Sequence, residues 1–217
     1  MRRFLAETVE FMPILLTGVK LTIVVTVGSL VLSTALGLVW ALMRVSGIRA
    51  LSGFAIVVVN VIRGIPIIVQ LFYIYFVLPD FGITLSALQA SIIGLGIAYS
   101  AYQSENFRAG IEAIDRGQID AAQSLGMGWA LTMRQVVLPQ AVRIVLPPYG
   151  NIMIMMLKDS SQASTITVGE LALQGKLIAS STFQNTTVFT LVAALYLAMS
   201  VPLIVLAGWL ERRFGRK

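Results

Sequence analysis

The sequence predicts an all-α membrane protein, with five transmembrane helices and a short cytoplasmic helix between the third and the fourth. Composition is the first ground. Of 217 residues, 57% are apolar and 12% charged, where soluble domains run about 45–50% and about 25%. That is half the charge a water-facing surface needs, and the mean hydropathy of +0.86 agrees. Composition thus argues against a soluble monomeric enzyme. The second ground is five stretches that each approach the roughly 20 apolar residues a bilayer demands. The third is an uneven split of Lys and Arg between the two sides of those stretches. With no Cys and no His, disulfides, Cys/His zinc sites and His-based catalytic devices are ruled out. No catalytic residue, cofactor or metal site is expected. The formal charge of +6 is dispersed along the chain, so membrane lipid, and not nucleic acid, is the expected partner.

Residues 1–217 read as a single transmembrane domain. Its start, MRRFLAETVEF, imitates the basic beginning of a signal peptide, but Glu7 and Glu10 interrupt it and no small-x-small site follows. It reads as a short amphipathic segment before a retained first span at about Gly18–Met43. The second span is Phe54–Leu78. The third, about Leu85–Phe107, starts apolar and ends in YSAYQSENF. A fourth lies at about Ala141–Leu157, where Pro147, Pro148 and Gly150 interrupt it. The fifth is Val188–Leu210.

Five spans put the termini on opposite sides. Ten basic residues fall on one side: Arg44, Arg49, Arg108, Arg116, Arg134, Arg143, Arg212, Arg213, Arg216 and Lys217. Four fall on the other: Arg2, Arg3, Lys158 and Lys176. Cytoplasmic loops carry the excess of Lys and Arg, so the carboxy terminus is expected inside and the amino terminus outside. The loop at about 108–140 is then cytoplasmic, and Asp159–Thr187 external.

A cytoplasmic loop of about thirty residues is long for a compact bundle, and long loops usually carry function. Within it, Asp120–Leu125 reads as a short helix with an acid in the first turn, where the helix dipole favours one. Gly126 stands where a helix C-terminus wants glycine. Ala121, Ala122 and Leu125 share one face, a shallow apolar surface that another protein can approach closely. Pro139 starts the next helix.

The spacing Asp120-Ala-Ala, Gly126, Val136-x-Leu138-Pro139 resembles the EAA loop of ABC importer permeases, with Asp120 for the usual Glu and Val136 for the usual Ile. More narrowly, the chain resembles permeases for polar amino acids of the histidine, glutamine and arginine type. Arg63-Gly64-Ile65-Pro66 is similar to their second-span motif, and Leu157-Lys158-Asp159-Ser160-Ser161 to the segment that ends their fourth span. The resemblance implies that Asp120, Ala121, Ala122, Leu125 and Gly126 form a coupling helix seated in a groove of a cytoplasmic ATPase dimer. It further implies a second permease subunit, similar or identical, an extracytoplasmic substrate-binding protein, and a place in the bacterial inner membrane. Independently, the chain has no GxxxxGK[ST] phosphate loop, so ATP hydrolysis is expected in another subunit.

Polar residues in spans tend to face the bundle or a water-filled path. Asn60, Arg63, Gln70, Asn151, Lys158, Asp159 and Ser160 are the candidate substrate contacts. Each has a structural alternative. Arg63 can satisfy the Ile62 carbonyl that Pro66 frees, Asn60 and Gln70 can bond across helices, and the Lys158–Ser161 segment can cap its helix. Pro147–Gly150 is expected to break the fourth span and expose backbone groups to a ligand. Tyr99, Tyr102, Gln103, Glu105 and Asn106 read as an interfacial belt. Family members with cationic or amide substrates commonly carry Glu after the residue equivalent to Asn151, and here Ile152 stands there. The expected function is the membrane-spanning subunit of an ATP-driven importer for a zwitterionic polar amino acid or derivative whose side chain is not strongly basic. The alternatives are a secondary amino acid transporter, and a structural permease partner without a substrate site of its own.

Overall fold

The computed structural model describes residues 2–214, save the side chains at positions 2, 3, 5 and 6. Arg216 and Lys217, and the side chains of Arg2 and Arg3, lie outside the described residues. Within them the fold is helical throughout. Helix α1, Arg2–Val45, joins the expected amphipathic segment and first span into one rod about 66 Å long at 1.5 Å per residue. Pro13 lies inside it. A proline removes one donor, but no left-handed residue follows to stop the helix, so it runs on.

The second span is corrected more sharply. Helix α2, Arg49–Gly64, and helix α3, Ile67–Phe72, meet at a 99° bend. The cause is local. A residue before proline is pushed out of the helical region, and Ile65 stands at φ −104°, ψ 128°. Helix α3 continues through a π-helical turn, Tyr73–Val77, and a 3-10 turn, Leu78–Phe81. Helix α4, Ala87–Glu112, opens on a capping box in which Ser86 and Gln89 satisfy each other's backbone amides.

Beyond α4 come α5, Arg116–Ser124, and the single turn α6, Trp129–Thr132. A π-helical turn, Met133–Val137, feeds α7, Leu138–Asp159. The expected break at Pro147–Gly150 is absent, because α7 passes through both prolines as one helix. Gly150 has a packing role instead. A Cβ there would meet the Ala207 Cβ at 2.9 Å, so glycine is what lets α7 lie against the last helix. A 3-10 stretch, Ser160–Ile166, then leads to α8, Leu171–Thr182, and α9, Asn185–Phe214.

Among the described residues, α1 from Glu7 and α9 are each long and apolar enough to cross a bilayer alone, and the bent α2–α3 pair passes as one broken unit. Helices α4 and α7, at 26 and 22 residues, have the length and carry polar side chains. Three apolar clusters hold these rods. One joins Val25, Leu71, Leu95, Tyr99, Met156 and Ile166. Another joins Phe11, Leu15, Leu171, Ile178, Val188 and Leu191. The third, Ile111, Ile114, Val137 and Ala141, anchors both ends of the α5–α6 loop.

The α1–α4 seam is the most extensive helix contact, and it is built on small residues. In lipid there is little hydrophobic gain between helices, so close backbone approach supplies the attraction. A Cβ on Gly37 would stand 2.6 Å from the Gln103 Cβ, and one on Gly96 2.6 Å from Leu32 Cδ2. Gly37→Val should therefore overpack this seam and destabilise by about 1–3 kcal/mol. Gly53→Ala, with nothing within 4 Å of the added carbon, should be neutral or better. Thermal unfolding of the two detergent-solubilised variants tests this, and equal melting temperatures would remove the seam's special role.

Candidate functional site

Helix α5 begins earlier than its pattern implied. Asp115 is the N-cap and accepts from the Gly117 amide at 2.7 Å, which places Asp120 mid-helix and exposed instead of in the first turn. An aspartate outside a helix outcompetes one within it because its short side chain reaches the free amides of the first turn. The C-terminal end is as the glycine implied. Gly126 is left-handed at φ 79°, its amide donates to the Gln123 carbonyl at 2.9 Å, and the Met127 amide donates to Ala122 at 3.1 Å. This pair of bonds is a Schellman cap. Ala122 is buried, whereas Ala121 is exposed and Leu125 is 83% exposed. Trp129, 60% exposed, and Leu131 extend the apolar surface beyond the glycine. Sequence reasoning missed Trp129, although a large aromatic three residues past a cap glycine was visible.

The loop is gripped where it meets the bundle. Gln140 donates to the Gln118 side chain at 2.6 Å, tying the start of α7 to α5, and Ile119 packs on the Ile111–Val137 cluster. Helix α5 is thereby held against α4 and α7 together.

At the same end of α4 stands a charge cluster that the sequence did not reveal. Glu105 accepts from Arg44 of α1 at 2.6 Å, from Arg108 at 2.9 Å, and more weakly from Arg63 of α2 at 3.4 Å. Arg108 also pairs with Glu112. Arg63 lies 5.9 Å over the Tyr102 ring. Three helices thus converge on one carboxylate. The interfacial belt expected here is only partly that, since Tyr99 and Gln103 are fully buried within the bundle.

The break at Pro66 is repaired by Gln70 and not by Arg63. The Gln70 amide donates to the Ile62 and Ile65 carbonyls, both at 2.9 Å. Its two N–H groups fit two orphaned acceptors, whereas Arg63 is drawn to Glu105. Of the remaining candidates, Asp159 accepts from the buried Tyr99 hydroxyl at 2.7 Å, and Ser160 is buried and donates to the Leu157 carbonyl. Asn60 on α2 is exposed, as are Asn151 and Lys158 on α7. Asn151, Met155 and Lys158 recur at i, i+4 and i+7, an exposed stripe along α7 that ends beside Asp159. Sequence reasoning also passed over Glu170. It is fully buried, caps α8 through the Ala172 and Leu173 amides, and accepts from the Tyr196 hydroxyl at 2.7 Å. Burial pushes its carboxyl above the usual range, and those donors offset only part of the rise.

Glu105→Gln leaves Arg44 and Arg63 without a carboxylate and Arg108 with Glu112 alone, and should destabilise by about 1–3 kcal/mol. Arg63→Gln, losing one long and 43%-exposed contact, should cost no more than about 1 kcal/mol. Melting curves at low salt separate the two, and a larger loss from Arg63→Gln would place the hub elsewhere.

Residues 33–216 match the family described as binding-protein-dependent transport system inner membrane component. The chain is 36% identical over 207 residues to the "Probable amino-acid ABC transporter permease protein YckA" of Bacillus subtilis, covering 95% of this chain and 92% of that one. It is 36% identical to the L-cystine transport system permease protein TcyB of the same organism, covering 95% and 89%. Among solved structures it is similar to an amino acid ABC transporter crystallised with histidines, at 38% identity, a TM-score of 0.88, and coverage of 96% and 97%. It also shares its fold with an inward-facing MetNI methionine transporter, at 21% identity, a TM-score of 0.81, and coverage of 95% and 99%.

Proposed function

The chain belongs to the binding-protein-dependent transport system inner membrane components, and we infer on that footing that it is the permease subunit of an ATP-driven ABC importer for a polar amino acid or an amino acid derivative. The observation that carries the coupling is the Schellman-capped helix α5. It presents Leu125 outward while its own base is bonded to α7 and packed on α4. A partner ATPase dimer receives this helix, with Asp120, Ala121, Leu125, Gly126 and Trp129 at the contact, and its closure is passed to the rods. A second permease subunit, similar or identical, completes the pathway, and an external binding protein delivers the solute.

The chain crosses the membrane five times in this reading, by α1, the bent α2–α3 pair, α4, α7 and α9. The excess of Lys and Arg places the carboxy terminus and α5 inside. Asp159 serves the substrate ammonium, supported by its position at the end of the exposed Asn151–Lys158 stripe. Asn60 and Arg63 line the approach from α2. Gln70 and Ser160, both bonded to backbone, shape the path without contacting the solute. With α7 unbroken, the carboxylate is met by side chains such as Asn151 and Lys158 instead of freed backbone groups. Ile152, packed against the first apolar cluster, offers no acid to a basic side chain.

In proteoliposomes holding the whole complex, Gly126→Val should abolish binding-protein-stimulated ATP hydrolysis, because a β-branched residue disfavours the left-handed cap. Stimulation at the wild-type level would sink the coupling role. Asp159→Asn should weaken uptake from a panel of radiolabelled amino acids by roughly ten- to a hundredfold in apparent affinity, the value of about 1.5–3 kcal/mol for a charge-assisted contact. Unchanged uptake by an intact complex would reduce Asp159 to a bundle contact.

Sidedness has its own check. Single cysteines at Glu112 and Phe214 should react only from the cytoplasm, and one at the exposed Lys176 only from outside. External labelling of Glu112→Cys would overturn the five-span topology.

A further inference from the structure

Where α9 ends and α7 begins, a cleft of about 370 Å³ is lined by Arg143, Arg213 and Phe214. Neither guanidinium is ion-paired among the described residues, although four other ion pairs involve Arg44, Arg63 and Arg108. Two free cations facing one concavity repel each other unless an anion lies between them. The surroundings indicate the depth at which that anion sits. Trp209, 51% exposed, lies edge-on to Phe214 with ring centroids 6.2 Å apart, and such amphipathic rings mark the headgroup level of a bilayer. Deeper along the same face of α9, Leu206 and Trp209 precede Arg213 at i−7 and i−4, and both are exposed. An apolar strip thus runs up to a dibasic cleft.

We propose that this cleft binds the phosphate of an anionic phospholipid, with the acyl chain lying along Leu206 and Trp209. A soluble phosphate would use the arginines but leave the apolar strip without purpose, and the strip is what favours lipid. Basic pockets between membrane helices at the leaflet with excess Lys and Arg commonly take such headgroups. The inference rests on the membrane placement of α7 and α9, and it requires neither an ATPase nor transport. Its test can therefore fail while the importer reading stands.

The experiment reconstitutes the full chain in phosphatidylcholine vesicles carrying trace spin-labelled phosphatidylglycerol or spin-labelled phosphatidylcholine, and measures the motionally restricted fraction of each. Wild type should favour phosphatidylglycerol, by roughly fivefold per arginine from about 1 kcal/mol each. Arg143→Gln/Arg213→Gln should lose that selectivity, and Arg143→Lys/Arg213→Lys should keep most of it. Arg49→Gln/Arg134→Gln, which removes equal charge elsewhere, should keep it too. Equal retention of both lipids by wild type would overturn the proposal, as would undiminished selectivity in the double glutamine variant. Equal loss in the Arg49/Arg134 pair would mean a diffuse surface charge and no site. Abolition of selectivity by inorganic phosphate, at matched ionic strength, would assign the cleft to a soluble anion instead.

Discussion

A bilayer core offers no water, so each backbone N–H and C=O that enters it must be satisfied by the protein itself. That constraint explains why the described residues are almost wholly helical, and it also explains the few polar side chains that lie deep in the structure. At Ile65–Pro66 the helix must break, and two carbonyls lose their donors. The Gln70 amide takes both. Burial inside the protein excludes water in the same way at the start of α8, outside the five spans, and there Glu170 accepts two first-turn amides. The Leu171 amide is taken by Thr22 of α1 at 3.2 Å. Each repair also pins one element to another, because the side chain has to be held where the orphaned group is.

Once the backbone is satisfied, what joins the rods is contact and not solvent exclusion. Small residues dominate the α1–α4 seam, and Gly150 does the same between α7 and α9. Charge meets its counter-charges at Glu105, which collects arginines from α1, α2 and its own helix. The cluster lies at the end of α4 that leads into α5, so the loop begins from a point where three helices are already tied.

The loop itself follows the opposite rule. Outside the apolar bundle, water can complete hydrogen bonds, and helix α5 is nine residues long, too short to be stable alone. It persists because Asp115 and the Gly126 turn close its two ends, and because Ala122 and Ile119 rest on the bundle. Its outward face is left apolar at Leu125 and Trp129, an arrangement that only a partner surface rewards.

Short-range patterns made much of this legible in the sequence. Hydropathy gave the helical class and the approximate segments, since spanning stretches are long and uniform. The Asp120–Gly126 spacing located the loop helix and its cap, because only glycine tolerates the left-handed turn cheaply. The family resemblance came from the same local spacings. What tertiary structure alone decided is which partner each polar group meets. The sequence offered Arg63 to the Ile62 carbonyl and Gln70 to a neighbouring helix, yet Gln70 takes that carbonyl while the approach of α4 puts Glu105 within reach of Arg63. Pro147 and Pro148 read as a break, yet α7 stays whole as it packs through Gly150 against α9. The pairing of Tyr99 with Asp159 spans sixty positions. Propensities and caps act within a turn or two of helix, whereas these choices depend on elements far apart in sequence arriving side by side.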